Sequence, residues 1–180
     1  SPLSVDIEKI INDNKELFQL GLTSLSKLTP GKIFLTLKNK MSFEDAQVQT
    51  ISGPHPAGNV GVQIHHTKPL KPNDVIWTVN AQHVITFGKL FRTGSYDPKI
   101  IVSIGGSGAS NPDVVKTRTG SKIDSFLMNQ SKDKQVRLIS GDVLTGETVN
   151  ENNFIGFYDS TVTIIDDEVK RPFLGMLSLG

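Results

Sequence analysis

The sequence predicts a mixed α/β chain organised as two small units that meet near residue 96. Three observations carry this expectation. Helical and strand periodicities alternate from Asp6 to Gly94. From Asp97 onward the rhythm changes to short alternating runs punctuated by glycine turns. The chain has 180 residues, 16 of them glycine and 9 proline, which suits two small turn-rich units as well as one large domain.

Residues 6–28 read as helix. Ile7, Ile10, Ile11, Leu17 and Phe18 share a stripe that Leu22, Leu25 and Leu28 continue, with Asp6 as the cap and Gly21 as the expected break. Pro30-Gly31 turns the chain into Lys32–Lys38, where Ile33, Leu35 and Leu37 alternate onto one face of a strand. A second strand is expected over Val48–Ile51. The stretch Gly53-Pro54-His55-Pro56-Ala57-Gly58 cannot be regular structure, and a helix should follow it to about His66. Val75–Val79 reads as a short apolar strand with Trp77 in the core. Asn80 then caps a helix whose Ala81, Val84, Ile85 and Phe91 share a face, and Gly94 ends it.

In the second unit, Lys99–Ile104, the turn Gly105–Gly108 and Val114–Thr117 form a hairpin. Ser121 and Asp124 resemble a capping box for a short helix carrying Ile123, Phe126 and Leu127. Val136–Ser140 is a strand, followed by the loop Gly141–Gly146. Thr161–Ile165 and Val169–Phe173 look like a closing hairpin about Asp166-Asp167. Hairpin, helix, strand, strand is the order of a β-grasp module.

Composition excludes several classes of function. With 19 basic and 18 acidic side chains the formal net charge is +1, and neither half has the asymmetry of a nucleic-acid binder or polybasic anchor. Without cysteine there is no disulfide, thiolate zinc site, cysteine-ligated iron–sulfur cluster or cysteine nucleophile. No apolar run approaches the roughly 18 residues of a membrane helix. The opening Ser1-Pro2-Leu3 reads as no signal peptide, and the apolar ending Phe173–Leu177 suggests a piece of something longer.

Signals of chemistry are sparse. Gly105–Gly108 lacks the Lys-Ser or Lys-Thr end and the following helix of a phosphate loop, so a turn is preferred. His55, His65, His66 and His83 fit no standard metal spacing, and adjacent His65 and His66 should point apart on a helix. Glu44-Asp45 and Asp166-Asp167-Glu168 read as solvated turn carboxylates. Lys116, Arg118 and Lys122, or Lys132, Lys134 and Arg137, read as exposed charges. The loop 53–58 differs: its glycines allow close backbone approach, its prolines stiffen it, and His55 supplies a polar tip that can donate or accept a hydrogen bond. A rigid connection between strand and helix would need the same punctuation.

This loop, with Gly61 and Ile64-His65 after it, resembles the A-subunit family of the bacterial sodium-translocating NADH:quinone oxidoreductases. The likeness continues through Trp77, Gln82, Val84-Ile85, Gly88-Lys89-Leu90-Phe91 and Thr93-Gly94, then Ile139-Ser140-Gly141, Val143-Leu144 and Gly146. Upstream it includes Gly21, Leu25, Leu28, Thr29 and Gly31. His66 stands where the family favours an aromatic residue and His83 where it favours aspartate. The resemblance implies a partial Rossmann-like αβ unit over residues 1–96, like the middle region of the flavin-binding component of complex I. Residues 97–180 would then be a soluble-ligand-binding β-grasp unit. It implies a peripheral subunit on the cytoplasmic face of the bacterial inner membrane, working with other subunits of a complex that couples NADH oxidation by quinone to sodium transport. No cofactor is expected on this stretch itself; quinone and NADH are used by the complex. Gly53, His55, Pro56, Gly58, Gly61 and His65 are the candidate wall of a quinone cavity or subunit interface. Two alternatives remain at this point: a component of a ferredoxin–NAD electron-transport complex, and a stand-alone β-grasp ligand-binding module.

Overall fold

The computed structural model describes residues 3–127 and 135–167. The fold is mixed α/β, in two units that divide between Pro98 and Lys99, with residues 3–5 grouping with the second.

In the first unit, Asp6 caps α1 (Ile7–Asp13) by accepting a hydrogen bond from the Lys9 amide at 3.0 Å. The first helical segment breaks at Asn14, not at Gly21. Asn14 leaves helical geometry, its Nδ2 donates to the Ile10 carbonyl at 2.9 Å, and α2 (Lys15–Ser26) starts anew. Gly21 lies inside α2, where its missing side chain lets α4 (Ala81–Thr93) come close: a Cβ there would stand 2.8 Å from a Val84 methyl group. Strands β1 (Ile33–Leu37) and β2 (Ala46–Thr50) pair in parallel, Ile33 opposite Ala46 and Leu37 opposite Thr50. Alternation sends Ile33, Leu35, Leu37 and Val48 into a core with Ile11, Phe18, Leu22, Phe43 and Val84.

Eight residues join these parallel strands without a helix, and side chains of α1 and α2 hold the connection. Glu8 accepts from the amides of Lys38 and Asn39 and from Asn39 Nδ2, while Gln19 exchanges hydrogen bonds with the Glu44 backbone. Burial pushes the Glu8 carboxyl up, but the Asn39 side chain and the two amides outweigh it and leave it below the ordinary value. A carboxylate displaced downward by folding stabilises the protein at neutral pH, and that contribution disappears as pH falls through its lowered value. The gap in urea midpoint between the wild type and Glu8→Gln should therefore narrow on acidification below the usual carboxylate range. A gap independent of pH would show that the charge on Glu8 contributes nothing to the clamp.

After β2 come α3 (Val60–Thr67) and α4, the latter capped by Asn80 Oδ1 on the Gln82 amide at 2.9 Å and closed by left-handed Gly94. Three expectations fail here. Val75–Val79 is not a strand, and Trp77 is 85% exposed rather than buried. Neither edge of the β1–β2 pair takes the run up, so its apolar character finds no core to enter. Phe91 and Leu28 are exposed too: Phe91 stands in the last turn of α4, and Leu28 lies beyond the end of α2.

In the second unit, β3 (Lys99–Gly105) and β4 (Asp113–Arg118) form an antiparallel hairpin. The final described strand, β7 (Thr161–Asp166), runs parallel to β3 at the centre of a five-stranded sheet ordered β4-β3-β7-β5-β6. Strand β5 is Val136–Ser140, and β6 (Glu147–Val149) is a strand the periodicity does not reveal because it has three residues. Ile123 and Phe126, beside and within the single turn α5 (Asp124–Leu127), pack on Val102, Ile104, Leu138, Val162 and Ile164. The capping box does not form: the Ser121 hydroxyl turns back to the Arg118 carbonyl at 2.7 Å and closes the turn after β4. Asp166 continues β7 opposite Val136 instead of starting a turn. The expected strand Val169–Phe173 lies outside the described residues.

Candidate functional site

Loop 53–58 leaves the end of β2 and enters α3. Two local bonds fold it, from the Ala57 amide to the Pro54 carbonyl at 3.0 Å and from the Asn59 amide to the Pro56 carbonyl at 2.8 Å. The His55–Pro56 peptide is cis. Gly53 has a φ of +135°, a conformation that L side chains avoid. Gly58 and Gly61 would meet nothing within 4 Å if they carried a Cβ, so nothing among the described residues demands glycine there. Gln63 Nε2 reaches back to the Gly58 carbonyl at 3.0 Å and ties the loop to its helix.

Helix α3 lies over the sheet face turned away from the core. Thr67 Oγ1 donates to Gln49 Oε1 at 2.7 Å, fastening the end of the helix to β2. Between helix and sheet is a cleft of about 370 Å³, walled by Thr36, Gln49, Ile51, Ala57, Gln63 and His66 among others. That volume falls in the range of small-molecule sites, roughly 300–1,000 Å³. Its wall offers hydroxyls, amides and one imidazole, with no carboxylate, ammonium or guanidinium. Such a surface suits an uncharged ligand with hydrogen-bonding oxygens better than an ion.

Gly53, His55, Pro56, Gly58, Gly61 and His65 are all exposed, and none of them lines this cleft. Their neighbours Ala57 and His66 do line it. His65 and His66 do not point apart. Their rings meet edge to face with centroids 5.4 Å apart, since both side chains lean the same way along the last turn of α3. His83 is remote in sequence, on α4, where burial pushes its imidazole below the ordinary value and favours the neutral form. Sequence reasoning missed Thr36 and Gln49. The signal was partial: Gln47 and Gln49 alternate with Ala46 and Val48 along β2, and Thr36 interrupts the apolar run of β1 on the same face.

Residues 1–96 match the family model described as the NqrA second alpha/beta domain. The chain belongs to the NqrA family. Residues 101–151 match a further NqrA model, described as the NQRA C-terminal domain. The chain is 36% identical to the A subunit of the Na(+)-translocating NADH-quinone reductase of Hahella chejuensis over 185 residues, covering 99% of this chain and 41% of that protein. The corresponding protein of Saccharophagus degradans is 34% identical over 186 residues, covering 100% of the chain and 42% of its own length. That of Rhodopirellula baltica is 35% identical over 182 residues, with 97% and 40% covered. The chain thus spans about two-fifths of the length of the NqrA relatives it matches. NqrA membership sets aside the ferredoxin-coupled and stand-alone readings. Among the described residues no helix is long and apolar enough to cross a membrane.

Proposed function

We propose that this chain is the central part of the NqrA polypeptide of a sodium-translocating NADH:quinone oxidoreductase, and that its α3 cleft contributes to quinone contact. NADH is oxidised and sodium moved by the assembled complex, not by this stretch, which carries no flavin, haem or cluster of its own. Its partners are the other subunits and quinone, and its place is the cytoplasmic face of the bacterial inner membrane. Within it, residues 1–96 are a Rossmann-like unit and residues 97–180 a soluble-ligand-binding β-grasp unit. The central parallel pairing of β3 with β7 supports the second of these assignments.

The observation that carries the quinone reading is the chemistry of the cleft wall. A quinone head group is flat and uncharged and presents two carbonyl acceptors. Thr36 and Gln49 on the sheet and His66 on the helix supply donors from facing sides of a space of suitable size. Loop 53–58 borders the cleft through Ala57, and its His55 is exposed and available to a neighbouring subunit.

The test is made in the assembled complex. His66→Ala is expected to raise the quinone KM about fivefold, the value of one hydrogen bond of ~1 kcal/mol, with NADH oxidation by an artificial acceptor unchanged. His55→Ala is expected to leave folding stability nearly unchanged and to weaken subunit co-purification or quinone turnover. Unaltered quinone kinetics with His66→Ala in fully assembled complex would end the quinone reading. Unaltered assembly and turnover with His55→Ala would end any functional claim for the loop.

A further inference from the structure

The run Val75–Val79 sits between α3 and α4 with no pairing strand among the described residues. Four of its five residues are apolar, and Val75 is 79% and Trp77 85% exposed. Its amides and carbonyls have no hydrogen-bond partner among the described residues, and the run stands outside both hydrophobic clusters. An exposed extended segment rich in β-branched and aromatic residues is a template for strand pairing.

The adjoining sheet is incomplete in the same sense. Strands β1 and β2 form a two-stranded parallel pair with both outer edges open among the described residues. Parallel sheets are found almost wholly in larger α/β layers with helices on both faces, and a pair of strands alone is marginal. In the order β1-β2-α3-run-α4, the run occupies the place of a further parallel strand. It pairs with neither β1 nor β2, so a partner would come from outside the described residues.

We infer that a β-strand of the same NqrA polypeptide, lying outside these 180 residues, pairs with Val75–Val79 and covers Trp77. The inference rests on the proposal that the chain is part of a longer NqrA protein. More than half the length of each relative named above lies beyond the stretch this chain matches, which is ample for such a strand. Parallel layers are assembled by crossovers within one chain, which favours the same polypeptide over a second copy or another subunit.

The test uses full-length NqrA. A photoreactive benzoylphenylalanine placed at Trp77 in the assembled complex should cross-link within NqrA, to a peptide outside the 180-residue stretch. A cross-link to a residue inside that stretch, to a second copy or to another subunit, or no cross-link at all, would overturn the inference. Hydrogen exchange on wild-type isolated NqrA needs no substitution. The amides of residues 76–79 should exchange about a hundredfold or more slower than in a free peptide, and exchange at free-peptide rates would also overturn it. Neither experiment reads quinone turnover. A complex with normal quinone kinetics and an uncovered Trp77 would therefore refute this inference alone.

Discussion

Gly88→Ala is expected to destabilise the first unit by about 3 kcal/mol or more, the upper end of what overpacking costs. In an exposed helix the same change stabilises by roughly 0.5–1 kcal/mol, because alanine loses less conformational freedom than glycine. Geometry reverses the sign here. A Cβ on Gly88 would overlap the Leu17 carbonyl oxygen, 2.8 Å from the Leu17 carbonyl carbon and 3.0 Å from the Gly21 amide nitrogen. These are backbone atoms of α2, so no rotamer change relieves the overlap and the two helices must separate. Separation would withdraw Val84 from Phe18 and Leu22, with which it shares the core. Gly61→Ala in α3 is the control, since its Cβ meets nothing within 4 Å. Urea denaturation at unchanged m-value should show the midpoint falling sharply for Gly88→Ala and holding or rising for Gly61→Ala. Equal midpoints for the two variants would mean that α2 and α4 do not meet at these glycines.

Phe18→Ala is expected to cost about 3–5 kcal/mol, the range for removing a buried aromatic ring. Phe18 is fully buried between the helices and the β1–β2 sheet, and its ring meets Phe43 edge to face with centroids 5.1 Å apart. Phe43 belongs to the helix-free connection between the strands, so losing Phe18 also loosens the link that holds β1 and β2 in parallel. A double-mutant cycle with Phe43→Ala should return a coupling of about 0.5–1.5 kcal/mol, the usual worth of such a pair beyond its buried area. Phe91→Ala, in the exposed last turn of α4, should shift stability by no more than about 0.5 kcal/mol. A large loss from Phe91→Ala would restore the helix face that periodicity alone suggested.

Most elements are legible in the chain because they depend on local chemistry. Asp6 and Asn80 start helices by offering an oxygen to an amide two or three residues on, and Gly94 ends one in a left-handed turn. Alternation identified β1, and short β-branched apolar runs bounded by turns identified β3, β5 and β7. The specific loop 53–58 was legible as well, from residue types that bar regular structure.

Pairing, burial and the interior of the site were decided elsewhere. Periodicity says that Val75–Val79 can be a strand and is silent on whether a neighbour exists to bond it. Gly21 has the same local propensity whether it breaks a helix or lets another approach, and Val84, 63 positions away, settles which. The cleft depends on α3 crossing the outer face of the sheet, held by Thr67 on Gln49 and by Gln63 on Gly58. That crossing puts His66 in the cleft wall and leaves His55 out of it, although both belong to the same short stretch of sequence. Local backbone preferences are set by each residue and its near neighbours, so the sequence by itself determined where most of the helices, strands and turns form. Which faces are covered depends on contacts between residues far apart in the chain, and only the tertiary structure decided those.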